Sequence, residues 1–364
     1  MAQDSASLLP HVSSVKGEIG LYGHHTHGLT VLTTAVFAVG EMAGSGVLAL
    51  PAALNGTGYI GILLNVMCAI VSAYTGMLLG RCWLMVLHRY SEYQEHSRYP
   101  YPAIGQVTFG KPGRLIVSCA INFTLFGVSV VFLLLASENI QSLIQDAGAN
   151  ISFCYWLLIV AGCLLPITWL GTPKDFWPIA VGAVVATSVA CCVILANIAE
   201  DSKTLPPAFY PKIDFKGFFF AFGTICFAFG GHPAFPTFQA DMRNPEKFGK
   251  AIFIAYMSFS YKRVIFRTAM MAVILFVAES IPHFGAILSL VGGSTTTLLA
   301  YILPPVFYLK LCSMEGSWEK VTASLHEKVA CAEIIAIGAV AGIASTYSAI
   351  SDLATSSFSK PCYV

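Results

Sequence analysis

Residues 40–46 read Gly40-Glu41-Met42-Ala43-Gly44-Ser45-Gly46, a polar, glycine-rich interruption inside a long apolar run. Between Gly28 and Gly80 the one charged residue is Glu41, near the middle of the first hydrophobic stretch. A carboxylate at bilayer depth costs about 2.5–3.5 kcal/mol, so a sequence keeps one there for a reason. The three glycines within these seven residues weaken helix continuity and release main-chain donors and acceptors. Exposed backbone at that depth is tolerated only where it lines a protein-enclosed cavity. The stretch is therefore read as a broken helix forming a binding site, with the rest of the chain as its scaffold.

Composition supports a membrane setting. Of 364 residues, 56% are hydrophobic and 11% charged, and the mean hydropathy is +0.72. Long uncharged runs place the chain among all-α multi-span membrane proteins. The net charge of +1 indicates no nucleic-acid partner. The eleven cysteines are scattered, mostly in apolar runs, with no metal-ligand spacing, and read as small buried hydrophobes. Cys154 and Cys362 could meet outside the membrane, although the pattern does not favour a disulfide. No nucleophile–base set, phosphate loop or cofactor motif stands out, so the chain does not read as an enzyme.

Working outward, residues 1–27 form a polar cytosolic tail with no apolar core of a signal peptide. Asp4-Ser5-Ala6-Ser7-Leu8-Leu9 fits an acidic dileucine sorting pattern, a short pattern that also arises by chance. The first span is expected at 28–54, with a bend at Pro51, and Asn55-Gly56-Thr57-Gly58 as a tight turn into a second at 59–80. Residues 81–114 carry Arg81, Arg89, Arg98, Lys111 and Arg114 and read as a cytoplasmic loop. Spans are expected at 115–136, 151–171 and 177–199, closing a first five-helix unit over 28–199.

Residues 217–240 hold the second interruption, Phe227-Ala228-Phe229-Gly230-Gly231-His232-Pro233-Ala234-Phe235-Pro236. Two glycines, a histidine and two prolines cannot continue a helix smoothly. Two interrupted hydrophobic segments, one opening each half of a chain, are the best sequence pointer to a secondary transporter's site. The apolar piece 251–260 is flanked on both sides by basic residues. As a helix it reaches only about 15 Å, half of a hydrocarbon core of roughly 30 Å, so it cannot cross. Spans at 264–281, 284–309 and 329–350 and a tail at 351–364 complete about nine crossings.

Three stretches resemble the amino acid/auxin permease family, in its proton-coupled amino acid transporter branch. They are Gly44-Ser45-Gly46-Val47-Leu48-Ala49-Leu50-Pro51, then the Phe227–Thr237 segment with Asp241-Met242-Arg243-Asn244-Pro245. The third is Ala278-Glu279-Ser280-Ile281-Pro282-His283-Phe284-Gly285 running into Val291-Gly292-Gly293-Ser294. The resemblance implies a LeuT-type fold of two inverted five-helix repeats, each opening with a discontinuous helix. The second repeat, 217–309, is then incomplete: about two helices are missing after residue 260.

In such a site the N–H groups of Gly44, Ser45 and Gly46 open a half-helix and face a solute carboxylate. Carbonyls of Ala38 and Val39, and of the region Phe227, Phe229, Gly230 and Gly231, are expected to receive its ammonium, with the Phe227 and Phe229 rings as possible pocket walls. Glu41 is expected either to accept a coupling proton or to pair with the amine, against the plainer reading of a carboxylate that props the break open. His232 is the second proton-carrier candidate, against the plainer reading of a structural hydrogen-bonding residue. The expected function is secondary transport of small neutral amino acids, coupled to protons rather than sodium, by alternating access, with neither cofactor nor metal, at a lysosomal/endosomal or plasma membrane. The alternative is a non-transporting truncated isoform acting as an amino acid sensor or dominant-negative partner.

Overall fold

The computed structural model describes residues 45–93, 99–146, 148, 151–169, 214–237, 284–318 and 320–355, with isolated helical positions within 182–200 and 273–278. Every regular element among these is helical. Helix α1 runs Ser45–Arg89 and leaves helical geometry at Gly58 (φ 56°, ψ −143°). A positive φ there suits glycine alone, so the turn expected over Asn55–Gly58 is confined to one residue. Pro51 does not take α1 out of helical geometry.

Helix α2, Pro100–Asp146, likewise folds at Gly110 (φ 69°, ψ −153°). Its two arms touch through glycines: a Cβ on Gly105 would stand 2.7 Å from the Gly113 carbonyl oxygen. The loop expected over 81–114 is thus mostly helix: the end of α1, a 3-10 turn at Ser91–Tyr93 and the first arm of α2. That arm is held by burial of Tyr101 and Ile104. The Tyr101 hydroxyl donates to the Leu299 carbonyl at 2.5 Å.

Helix α3, Phe153–Trp169, fills the fourth expected span. Its Cys154 departs from the reading of the cysteines as plain hydrophobes, because it is disulfide-bonded. Cys68, Cys226, Cys312 and Cys331 are buried thiols, whereas Cys119, Cys163 and Cys192 lie on the exterior. Helix α4, Phe215–Ala228, is capped by Asp214, whose carboxylate accepts from the Gly217 N–H at 3.1 Å.

Helix α5, Phe284–Val291, passes through two wide π-helical turns, Gly292–Thr296 and Leu298–Ile302, into α6, Leu303–Ser313. Pro304 and Pro305 open α6 and have no N–H to give to the carbonyls of the preceding turn, which favours its widening. Helix α7, Leu325–Thr355, begins with a reciprocal cap. Ser324 N–H donates to Glu327 Oε2 at 2.9 Å, and Glu327 N–H to Ser324 Oγ at 3.3 Å.

Among the described residues, four helical stretches are long and apolar enough to cross a membrane: Thr57–Arg89, Pro100–Asp146, Phe284–Ser313 and Leu325–Thr355. Phe153–Pro166 and Phe215–Ala228 are shorter apolar helices. Large apolar side chains such as Ile337, Val340, Ile343 and Tyr347 face outward from α7, an exterior suited to hydrocarbon rather than water. The protein is an integral membrane protein. The expected segment 251–260 lies outside the described residues.

Helix α4 packs against α1, α5, the first π turn and α7. Its approach to the π turn is close enough that a Cβ on Gly292 would overlap the Gly223 carbonyl and stand 2.9 Å from Phe227 Cβ. Gly292→Ala should therefore destabilise the fold by about 1–3 kcal/mol, the usual cost of overpacking. Gly162→Ala, where a Cβ meets nothing within 4 Å, should be neutral. Thermal unfolding of the purified protein in detergent compares the two; equal melting temperatures would remove the close approach.

Candidate functional site: the interrupted helix

Helix α4 stops at Ala228, and residues 229–234 form turns before helical geometry resumes at 235–237. The break falls at the Gly-Gly-His-Pro run, where the sequence places it. Within the break the backbone satisfies part of itself. Phe229 N–H donates to the Cys226 carbonyl at 3.2 Å, Gly230 N–H to Phe227 at 3.1 Å, and Ala234 N–H to Gly231 at 3.1 Å.

The remaining support comes from α1. Ser72 Oγ donates to the Phe229 carbonyl at 3.3 Å. One turn further along the same face, Thr75 Oγ1 lies 3.1 Å from His232 Nε2. The Thr75 hydroxyl has one proton and two nearby carbonyls for it, Val71 at 2.9 Å and Ser72 at 3.1 Å. With that proton on either carbonyl the hydroxyl is an acceptor, and on that ground we assign the imidazole proton to Nε2. His232 is fully buried, and its Nδ1 meets no partner in the protein. The geometry presents a bare acceptor lone pair inside the break.

Glycines let these parts meet. A Cβ on Gly76 would stand 3.2 Å from the Phe235 ring and 3.7 Å from His232 Nε2. The His232 and Phe235 rings lie 5.0 Å apart. A Cβ on Gly230 would stand 2.7 Å from Thr296 Cγ2 in the first π turn, so that π turn and the break are also in direct apposition.

Of the residues expected to form the site, Phe227, Phe229, Gly230, Gly231 and His232 are brought together at this break. The Phe227 carbonyl accepts from the Gly230 N–H and the Phe229 carbonyl from the Ser72 hydroxyl. Ser45 and Gly46 lie in the first turn described for α1. Ala38, Val39, Glu41 and Gly44 lie outside the described residues. Sequence reading missed Ser72, Thr75 and Thr296. The spacing Ser72, Thr75, Gly76 along one helical face was the available signal for the first two.

The sequence profile of the family described as transmembrane amino acid transporter protein matches residues 27–262 and 257–351. The chain belongs to that family. It is 23% identical to amino acid transporter AVT1B of Arabidopsis thaliana over 433 aligned positions, covering 95% of this chain and 75% of the relative. It is 24% identical to AVT1C of the same plant, covering 94% and 72%, and 21% identical to AVT1I, covering 88% and 94%. No solved structure matches. The family is one of transporters, not enzymes. The first alignment is longer than the 364-residue chain itself, so the relative carries residues with no counterpart here. The two profile matches meet at 257–262, where the sequence places the missing helix pair.

If the α1 clasp holds this transporter's break, Thr75→Val should cost about 1–3 kcal/mol, since it removes the hydroxyl that stands 3.1 Å from the buried His232 Nε2. Ser72→Ala removes a longer bond and should cost less. Thermal melting of both variants tests the order, and a Thr75→Val variant as stable as the parent would rule the clasp out.

Proposed function

We propose that this chain is a secondary active transporter of small neutral amino acids, driven by protons and working by alternating access around two interrupted helices. The observation that carries the reading is the break at residues 229–234, with a fully buried imidazole whose Nδ1 has no protein partner. An unbonded buried acceptor costs about 1–3 kcal/mol, a cost relieved when a solute ammonium or a proton arrives. Family membership supports the solute class, because the similar plant proteins are named as amino acid transporters.

In this mechanism the second interruption is the stretch Gly40-Glu41-Met42-Ala43-Gly44-Ser45-Gly46. Its amides at Gly44, Ser45 and Gly46 receive the carboxylate at a half-helix N-terminus, where the dipole favours an anion. The carbonyls of Ala38 and Val39 and those around Phe227 and Phe229 receive the ammonium. Glu41 and His232 are the two proton carriers. Rocking of the interrupted helices against their neighbours then exposes the solute to one side or the other.

The test is uptake into proteoliposomes holding the 364-residue chain, with labelled alanine, glycine or proline outside and an inward proton gradient. The expected result is accumulation that collapses with a protonophore, persists when sodium is replaced by choline, and falls at least tenfold in Glu41→Gln. Failure of a monodisperse, correctly inserted chain to take up any of the three would overturn the proposal.

A further inference from the structure

The run Ser294-Thr295-Thr296-Thr297 carries four successive hydroxyls, and Thr296 among them lies against the break. Three of them are bonded inside the protein. Ser294 Oγ donates to the Leu290 carbonyl at 2.6 Å. Thr124 Oγ1 of α2 donates to Thr295 Oγ1 at 2.7 Å. Thr297 Oγ1 donates to the Gly292 carbonyl at 2.7 Å. The fourth, Thr296 Oγ1, has no partner, in a residue only 1% exposed.

The π geometry explains why. In an ordinary helix a threonine returns its proton to the carbonyl four residues back. For Thr296 that is Gly292, whose oxygen already takes both the N–H and the hydroxyl of Thr297. The Thr296 proton is therefore left for something outside its own helix. The side chain lies on Gly230, with Oγ1 3.7 Å from the place where a Cβ of residue 230 would stand. Two residues further along the same break is His232, with the other unbonded atom. Two buried polar atoms of opposite kind, a donor hydroxyl and an acceptor nitrogen, thus flank the Gly230-Gly231 step, where a solute bearing both a carboxylate and an ammonium would complete each of them.

We propose that Thr296 is a binding residue for the transported solute, its hydroxyl donating to the solute's carboxylate from the π turn opposite the break. This rests on the transport reading above and adds a third wall to the site. Thr296→Val keeps the shape and removes the donor. It should raise the apparent KM for alanine about tenfold, the loss expected for one hydrogen bond to a charged group, with Vmax unchanged. Thr296→Ser should restore the parent KM. Inhibition by L-alaninamide, which lacks the carboxylate, should be equal in parent and Val variant. The melting temperature without solute should not fall, since the hydroxyl bonds nothing in the empty protein. A parent-like KM in Thr296→Val, or a lowered melting temperature with KM unchanged, overturns the assignment and leaves the transport reading standing. Absence of uptake by the parent overturns the transport reading itself. Should the Val variant not fold, Thr296→Ala is read by the same criteria.

Discussion

A main chain interrupted inside hydrocarbon has no water to complete its hydrogen bonds, so another part of the protein must supply them. That requirement organises the described part of this molecule. Helix α4 cannot run past Ala228, because Gly230, Gly231 and Pro233 remove the order and the donor a helix needs. The groups released there are taken up within the break and by Ser72 and Thr75 of α1. Helix α1 is therefore a partner in the break rather than a bystander, and its small residue at Gly76 is what lets Phe235 and His232 come near.

The same economy explains the seam between α4, α5 and α7. Helices in lipid gain little from burying apolar surface, so they associate through close backbone approach and hydroxyl bonds. Gly223 of α4 faces Gly292, while Gly293 touches Ser345 of α7, and Ser289 Oγ donates to the Phe220 carbonyl at 2.8 Å. Ion pairs then fix α7 at its two ends, Arg81 to Glu327 at 3.0 Å and Lys216 to Asp352 at 3.5 Å. Each of these side chains is about a third exposed, so the pairs contribute little energy. Their effect is on register: they hold α7 so that its row of small residues meets the glycines of the seam.

What the sequence revealed and what it hid follow from the range of each cause. The spans at 59–80, 115–136, 284–309 and 329–350 were legible because hydrophobic length is a local property, and the break at Gly230 was legible because glycine and proline act on their own backbone. The first arm of α2 was hidden by Arg81, Arg89, Arg98, Lys111 and Arg114, whose charge suggested solvent while Tyr101 and Ile104 between them were already core. The second π turn, Leu298–Ile302, escaped notice because its cause, the absence of donors at Pro304 and Pro305, is expressed one turn upstream. Thr75 carried a signal only as one member of the Ser72, Thr75, Gly76 face. A lone hydroxyl in an apolar helix is ordinary, and the residue that gives it meaning stands 157 positions away. The stretch around Glu41 remains a sequence argument, since it lies outside the described residues.

The internal shortening around 257–262 bears differently on the fold and on the site. Every group shown to hold the break belongs to α1, α4 or the π turn after α5, and all of these lie inside the two stretches that match the family. The partner helices of the seam, α5 and α7, lie inside them too. The clasp on the interrupted helix therefore draws on no residue from the place where the longer relatives have extra chain. A transporter depends on scaffold as well as site, and the groups that clasp the described break lie away from the place where the two profile matches meet.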